Sequence, residues 1–114
     1  KVIGIILKAR PAAILFEASN PRHAHEWIVW KNTPIPDEKI LIPGLLTSTS
    51  NYVEHPELVA QRICQFAEIV GRERVIAGTD CGLGGRIHRQ IVWAKLKALS
   101  EGARLATRQL WGGA

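Results

Sequence analysis

The sequence predicts an α/β domain in which about three parallel strands alternate with helices. Short apolar runs of strand length begin near residues 13, 39 and 74, and each precedes a segment with helical signals. The runs are continuously apolar, as is typical of parallel strands that are buried on both faces, and the alternation is that of βα units. A closed barrel of eight units needs about 250 residues. The 114 residues therefore suit an open layer or part of a barrel, and we treat residues 1–114 as a single partial domain.

The first predicted helix and strand lie on either side of Pro11. Residues 1–10 are apolar with basic residues near their end, and together with the following proline this indicates a helix C-terminus. Residues 13–18 form a short apolar run that stops before Asn20-Pro21, so they predict a buried strand.

The next helix and strand are marked by a cap and by a bend. Asn20 can cap a helix over residues 23–31, with Pro21 at its first position. Residues 39–46 predict the second strand, in which Pro43-Gly44 requires a bend or a strand end.

The second half contains the strongest helical patterns. Pro56 predicts a helix start and Gly71 its end. The apolar stripe of this helix consists of Val59, Ile63, Phe66 and Val70. Residues 74–79 predict the third strand. The last helix has its stripe at Val92, Leu96, Leu99, Ala103, Ala106 and Leu110, and Gly112-Gly113 closes it.

Composition excludes several classes of protein. Hydrophobic residues make up 46% and charged residues 22% of the chain, which is typical of a globular domain. No apolar run approaches the roughly 18 residues of a membrane span, so we expect no membrane association. Two cysteines give no disulfide framework, and we expect a cytoplasmic protein. The chain has no Met and opens inside an apolar segment, so we expect it to be a piece of a longer protein.

The net charge of +5 is carried by the last quarter of the chain. Residues 1–85 hold nine basic and nine acidic residues, whereas residues 86–114 hold six basic residues against Glu101 alone. Such clustering can indicate nucleic-acid binding. No aromatic interleaving, Gly-Arg repeat or zinc-finger spacing supports it, so we expect a solvated helix face and no nucleic-acid partner.

The sites of parallel α/β proteins lie at the carboxyl ends of the strands, and three polar groups are predicted to lie there. Glu17 lies within the first strand, residues 47–51 follow the second, and Asp80-Cys81-Gly82 follows the third. A carboxylate in an apolar strand needs a partner, which can be a metal ion or Arg22. Cys81 can be a ligand or an incidental buried thiol.

The remaining cysteine and the histidines have structural explanations. Cys64 lies on a helix and is expected to be packed. His23 and His25 could be metal ligands, but their spacing puts both on one face only in a strand, and that segment is predicted to be helical. His55 and His88 precede or open helices, and we expect them to be exposed caps.

Four motifs resemble the cobalamin-independent methionine synthase family, and more closely its single-barrel relatives, the methyltetrahydropteroyltriglutamate–homocysteine methyltransferase-like proteins. The motifs are LFEASNPRH (residues 15–23), IPG (42–44), VEHPE (53–57) and AGTDCG (77–82). The resemblance extends to WAKL (93–96) and LW (110–111), and so covers nearly the whole chain.

The resemblance implies the C-terminal portion of a (β/α)₈ TIM-type barrel whose zinc activates a thiol for methylation. The family's zinc ligands are a His-x-Cys pair, a Glu at a strand end and a Cys in an Asp-Cys-Gly turn. Glu17 and Cys81 match the last two, which implies half of a zinc site. Thr47, Ser48, Thr49 and Asp80 are the implied substrate-binding residues.

The sequence departs from the family in two places. The His-x-Cys pair is missing, because the family has it upstream of the matched segment. Methionine-forming members also carry a proton-donating His after the second of these strands, where this chain has residues 47–50 (TSTS). This weakens homocysteine as the specific acceptor and leaves thiol alkylation standing.

We therefore predict part of a zinc-dependent methyltransferase that takes a small-molecule thiol and a methyl donor. The isolated chain is expected to be inactive, because two ligands do not fill a zinc site. A uroporphyrinogen-decarboxylase-like enzyme without zinc and a truncated non-catalytic domain remain alternatives. Open strand edges predict a homo-oligomer.

Overall fold

The computed structural model describes residues 2–112, which form two strands and four α-helices. The elements in chain order are α1 (Val2–Ile6), β1 (Ala13–Phe16), α2 (Trp27–Lys31), β2 (Ile40–Pro43), α3 (Pro56–Val70) and α4 (Arg89–Trp111). Short 3₁₀ helices at Ala24–Glu26 and Arg72–Arg74 precede α2 and follow α3. The predicted α/β class with parallel strands is confirmed.

The sheet is parallel, and its two strands pair in register. Ala13 of β1 lies opposite Ile40 of β2, and Phe16 lies opposite Pro43. The pairing continues beyond the strands, since the Gly44 amide donates to the Phe16 carbonyl at 2.7 Å. The two apolar runs thus form the strands that the sequence predicts, although each strand is shorter than predicted.

The third predicted strand, residues 74–79, is present only as a bridged segment (residues 75–78). It runs parallel to β2 with bridges from Leu41 to Val75 and from Gly44 to Gly78, and no continuous ladder joins them. The cause is Pro43, whose carbonyl accepts from the Gly78 amide at 3.2 Å but which has no N–H to donate to the Ile76 carbonyl. The prediction was right about the direction of this segment and wrong about its continuity.

The helix ends follow local rules. The His55 side chain accepts from the Glu57 amide at the start of α3, and His88 does the same for Gln90 at the start of α4. Gly71 ends α3 with φ 95°, a conformation that glycine adopts without steric cost. Both histidines are exposed, so their predicted capping role is confirmed.

The first two helices differ from the prediction in their extent. The helix predicted over residues 1–10 ends at Ile6. The segment predicted as one helix over residues 23–31 is a 3₁₀ turn followed by α2. The Asn20 side chain caps the turn before it, accepting from the His23 amide at 3.2 Å. Lys1 and Gly113 lie outside the described residues.

The hydrophobic core lies between the sheet and the helices. In one cluster Phe16 stacks on Trp30 with ring centroids 4.2 Å apart and meets the edge of Phe66. The second cluster joins β2 to α3 and α4 through Leu45, Leu46, Val59, Ala60, Ile63 and Ala106. The stripe predicted for α3 is buried as expected.

The buried face of α4 is rotated from the predicted stripe. Its buried residues are Lys95, Ala98, Gly102 and Ala106, whereas most of the predicted stripe is half-buried at the flank. Small residues let the two helices approach closely, since a Cβ at Gly102 would lie 2.4 Å from the Val59 side chain. The expectation that basic residues of this helix are solvated is wrong for Lys95, whose side chain has 0% exposure.

Candidate metal and substrate site

The predicted site residues lie at the carboxyl ends of β1, β2 and the bridged segment. Since β1 and the bridged segment flank β2, the segments that follow all three emerge at one edge of the sheet. Glu17 comes directly after β1, and Cys81 lies three residues beyond Gly78, where the bridged segment ends. Residues 47–50 follow β2 between them. The topology thus places the predicted ligands on either side of the predicted substrate loop.

Asp80 joins two of these segments through its carboxylate. Oδ1 accepts from the amides of Ala18 at 2.8 Å and Ser19 at 3.0 Å. Oδ2 accepts from the Asn20 amide at 2.8 Å and from its side-chain nitrogen at 3.0 Å. Asp80 is buried at 4% exposure. This carboxylate therefore fixes the backbone after Glu17 beside the turn that carries Cys81.

A second set of contacts holds the same edge of the sheet. Ser19 donates from its hydroxyl to the Gly44 carbonyl at 2.6 Å, and Arg62 of α3 reaches both the Ser19 hydroxyl and the Leu45 carbonyl at 3.2 Å. Gly44 passes so close to Asp80 that a Cβ there would lie 2.2 Å from Oδ1. The glycine of the IPG motif thus makes room for the Asp80 carboxylate.

Glu17 is exposed rather than buried, and its partner is not Arg22. Its Oε2 lies 3.3 Å from Nε2 of His23, and both side chains are partly exposed. Nδ1 of His23 lies 2.5 Å from Oε1 of Glu26, so the imidazole bridges two carboxylates. The expectation of a buried carboxylate is wrong because Glu17 continues the alternation of β1, in which Leu15, two residues earlier, is exposed as well.

A cavity of about 470 Å³ opens beside this bridge between α1, β1 and α2. Its walls are mostly apolar, and its polar groups are Glu17, His23 and Glu26. His25 is exposed and does not line this cavity.

The two cysteines have opposite environments. Cys81 is exposed, so the alternative of an incidental buried thiol is wrong. Cys64 is half-buried and its Sγ donates to the side-chain oxygen of Gln109 at 3.3 Å, in agreement with the predicted packing role. Burial and then the nearby Glu68 carboxylate raise the pKa of Cys64, which leaves little thiolate at neutral pH.

The residues of the loop after β2 differ in their exposure to solvent. Thr47 and Ser48 are buried, whereas Thr49 is exposed. The Thr47 hydroxyl hydrogen-bonds the Ser50 hydroxyl, and the Thr47 amide donates to Oε2 of Glu54 at 2.7 Å. As substrate-binding residues these hydroxyl groups, like Asp80, stay a prediction, and Thr49 is the one that solvent reaches most freely.

Glu54 and Lys95 both contact Thr47 of this loop, and no sequence pattern singled them out. Nζ of Lys95 lies 2.7 Å from Oε1 of Glu54, and both side chains are fully buried. One signal was available for Lys95: it follows Val92 by three residues and therefore falls within the apolar stripe of α4, where a solvated lysine is out of place.

Glu17 and Cys81 fit part of a zinc site. Carboxylate and thiolate are ligands that zinc accepts, and both groups are exposed at the same edge of the sheet. Within residues 2–112, no three His, Cys, Asp or Glu side chains form a group that could hold a metal ion.

The described helices include none that is long and apolar enough to cross a membrane.

Comparison with known proteins places the chain beside two enzymes. No family model matches it. Over 82 residues, 72% of the chain, it is 38% identical to a 2-hydroxypropyl-CoM lyase from Xanthobacter autotrophicus and spans 22% of that protein.

A solved structure resembles nearly the whole chain. A B12-independent methionine synthase from a Shewanella species, determined in complex with selenomethionine, matches 98% of the chain with a TM-score of 0.81 and 22% identity. The chain spans 31% of that structure. The parallel α/β fold described above is therefore that of a fragment of a methionine-synthase-like barrel.

Proposed function

We propose that this chain is part of a zinc-dependent methyltransferase that alkylates a thiol. The chain would form the C-terminal portion of the barrel. The whole enzyme would be cytoplasmic and would bind a homocysteine-like acceptor and a methyltetrahydrofolate-like donor. One observation carries the proposal: Asp80 links the segment after Glu17 to the turn that carries Cys81. The similarity to a methionine synthase and to a lyase that acts on a thioether supports it.

The side chains present fit a part of the ligand set. Glu17 and Cys81 would hold the ion, and bound zinc lowers the pKa of a thiol so that thiolate exists at neutral pH. Nε2 of His23 lies 3.3 Å from Oε2 of Glu17, and this contact keeps the carboxylate beside the imidazole. Asp80 keeps the two ligand-bearing segments together.

Methyl transfer also requires a proton for the donor nitrogen, and the loop after β2 lies where the family has its proton donor. The acceptor sulfur forms a bond to the methyl carbon while the bond from that carbon to the donor nitrogen breaks, and the nitrogen takes up a proton. Residues 47–50 supply hydroxyl groups in this position instead of an imidazole. Thr49 is the exposed member of the loop, and we assign it to hydrogen bonding with the bound substrate.

The second candidate is cleavage of a 2-hydroxyalkyl thioether, which the 38% identity to the lyase favours. The carbon–sulfur bond would break while the neighbouring hydroxyl oxygen bonds to the same carbon and closes an epoxide. The hydroxyl proton would end on the sulfur, so this reaction would release a thiol instead of consuming one. Hydroxyl donors in the loop after β2 suit it, because they can hydrogen-bond the hydroxyl oxygen of the substrate as its charge develops.

Zinc content tests the proposal. The protein expressed from its full coding region should contain about one zinc ion per barrel. Cys81→Ser should lose most of it, because serine is a much poorer zinc ligand than a thiolate. Cys64→Ser is the matched control and should retain the metal. Equal zinc in the wild type and Cys81→Ser would remove Cys81 from the site.

A thiol assay on the same protein separates the candidates. Loss of free thiol with homocysteine and methyltetrahydrofolate indicates methyl transfer, and release of thiol from 2-hydroxypropyl-CoM indicates the lyase reaction. A metal-free protein that decarboxylates uroporphyrinogen would instead establish the decarboxylase alternative. Absence of all three activities would favour a non-catalytic domain.

A further inference from the structure

A fully buried ion pair lies beneath the loop that follows β2. Nζ of Lys95, on α4, is 2.7 Å from Oε1 of Glu54, and neither side chain has any exposed area. The ring of Tyr52 covers the ammonium group at 5.0 Å from its centroid. The pair joins residues 41 positions apart in the chain.

Both members of the pair also contact the first residue of the loop. Oε2 of Glu54 accepts from the Thr47 amide at 2.7 Å and from its hydroxyl at 3.3 Å. Lys95 lies 3.4 Å from the same hydroxyl oxygen. Residues 47–55 contain no helix or strand, so these contacts take the place of a backbone ladder in fixing the loop.

Stability alone does not account for such a pair. Two charges removed from water lose hydration that their mutual attraction only partly replaces, and apolar residues of similar size are often at least as stable in their place. Directed hydrogen bonds, in contrast, set the orientation of Thr47 in a way that apolar packing does not.

We propose that Glu54 and Lys95 are positioning residues that hold the Thr47–Ser50 loop in its place at the site. Through Thr47 they fix the hydroxyl groups of the loop relative to Glu17 and Cys81. Their effect on turnover rests on the proposed thiol chemistry, whereas their hold on the loop does not.

A double substitution tests this in the protein expressed from its full coding region. Glu54→Leu combined with Lys95→Met removes both charges at similar volume, so that no buried charge is left unpaired. The matched control is Glu101→Leu with Lys97→Met. Both residues lie on α4, as Lys95 does, but their side chains are exposed, and Nζ of Lys97 is 4.0 Å from Oε1 of Glu101.

Two measurements are made on each variant. Hydrogen exchange should show the Thr47 amide exchanging at least about tenfold faster in the buried-pair variant, with the α3 amides unchanged. With 2-hydroxypropyl-CoM or homocysteine plus methyltetrahydrofolate as probes, kcat should fall about 10- to 100-fold with a smaller change in KM. The control variant should match the wild type in both measurements.

The outcomes separate this inference from the proposed function. Wild-type protection of Thr47 in the buried-pair variant overturns the inference, whatever the activity. Faster exchange with unchanged kcat also overturns it, since the pair would then be structural only. A wild type that turns over neither probe refutes the proposed reaction, and the exchange of Thr47 then decides whether the pair holds the loop.

Discussion

At the scale of single residues, Asp80 determines how the ends of two parallel segments meet. Its carboxylate accepts four hydrogen bonds from residues 18–20, and Gly44 leaves the space that the carboxylate occupies. A buried carboxylate with this many donors cannot be exchanged for a neutral group without leaving amides unpaired.

We therefore expect Asp80→Asn to destabilise the chain. The amide nitrogen that replaces one oxygen would face N–H groups of residues 18–20, at a cost of about 1.5–3 kcal/mol. Denaturant unfolding measures this, and Asp37→Asn is the matched control because Asp37 is exposed. A stability equal to that of the wild type would show that Asp80 does not hold the two segments together.

Sequence patterns predict the role of a residue when that role depends on its neighbours in the chain. His55 and His88 cap helices, and each does so by accepting from the backbone amide two residues later. Glu54 and Lys95 are paired across 41 positions, and their spacing carries no information about that contact. Motif similarity did indicate the segments that contain them, without indicating that they touch.

At the scale of elements, the contact between α3 and α4 depends on a glycine in the middle of a helix. A Cβ at Gly102 would lie 2.4 Å from Cβ and Cγ1 of Val59 and 2.8 Å from the Pro56 carbonyl oxygen. Hydrophobic periodicity did not predict this face, because its central residues are small or, at Lys95, charged.

Gly102→Ala should accordingly destabilise the chain despite the better helix propensity of alanine. The intrinsic gain is about 1 kcal/mol, and the overlap with Val59 should outweigh it, leaving a net loss of about 1–3 kcal/mol. Thermal unfolding measures the balance. Gly4→Ala in α1 is the control, since no atom lies within 4 Å of a Cβ there. A stabilised Gly102→Ala would mean that the helices separate at little cost.

The strands show where sequence patterns lose accuracy. Apolar runs located all three segments, yet the bridged segment lacks a continuous ladder because a proline in its neighbour withholds one donor. Hydrogen bonding in a sheet depends on the residues of two neighbouring strands. The apolar run of one strand therefore does not reveal where its ladder is interrupted.

At the scale of the whole molecule, no helix within residues 2–112 covers one face of the sheet. Ile14 and Phe16 pack on the core, while Leu15 between them is 62% exposed and Ile76 is 50% exposed. Leu15 lies opposite Ile42, so the three form an apolar row across the sheet. The alternation of parallel units predicted the fold class, but continuous apolar runs predicted cover on both faces, and the described residues cover one.

We expect the isolated 114-residue chain to self-associate through this row, because apolar side chains and open strand edges recruit other chains. Sedimentation at micromolar concentration should show a dimer or a larger species. Leu15→Lys should weaken association at least about tenfold, or ~1.4 kcal/mol, since a charge would have to be buried in the contact. Ile28→Lys is the control, because Ile28 is similarly exposed, at 48%, but lies on α2. A wild-type monomer with sharp thermal unfolding would contradict this expectation and show that the sheet face is stable in water.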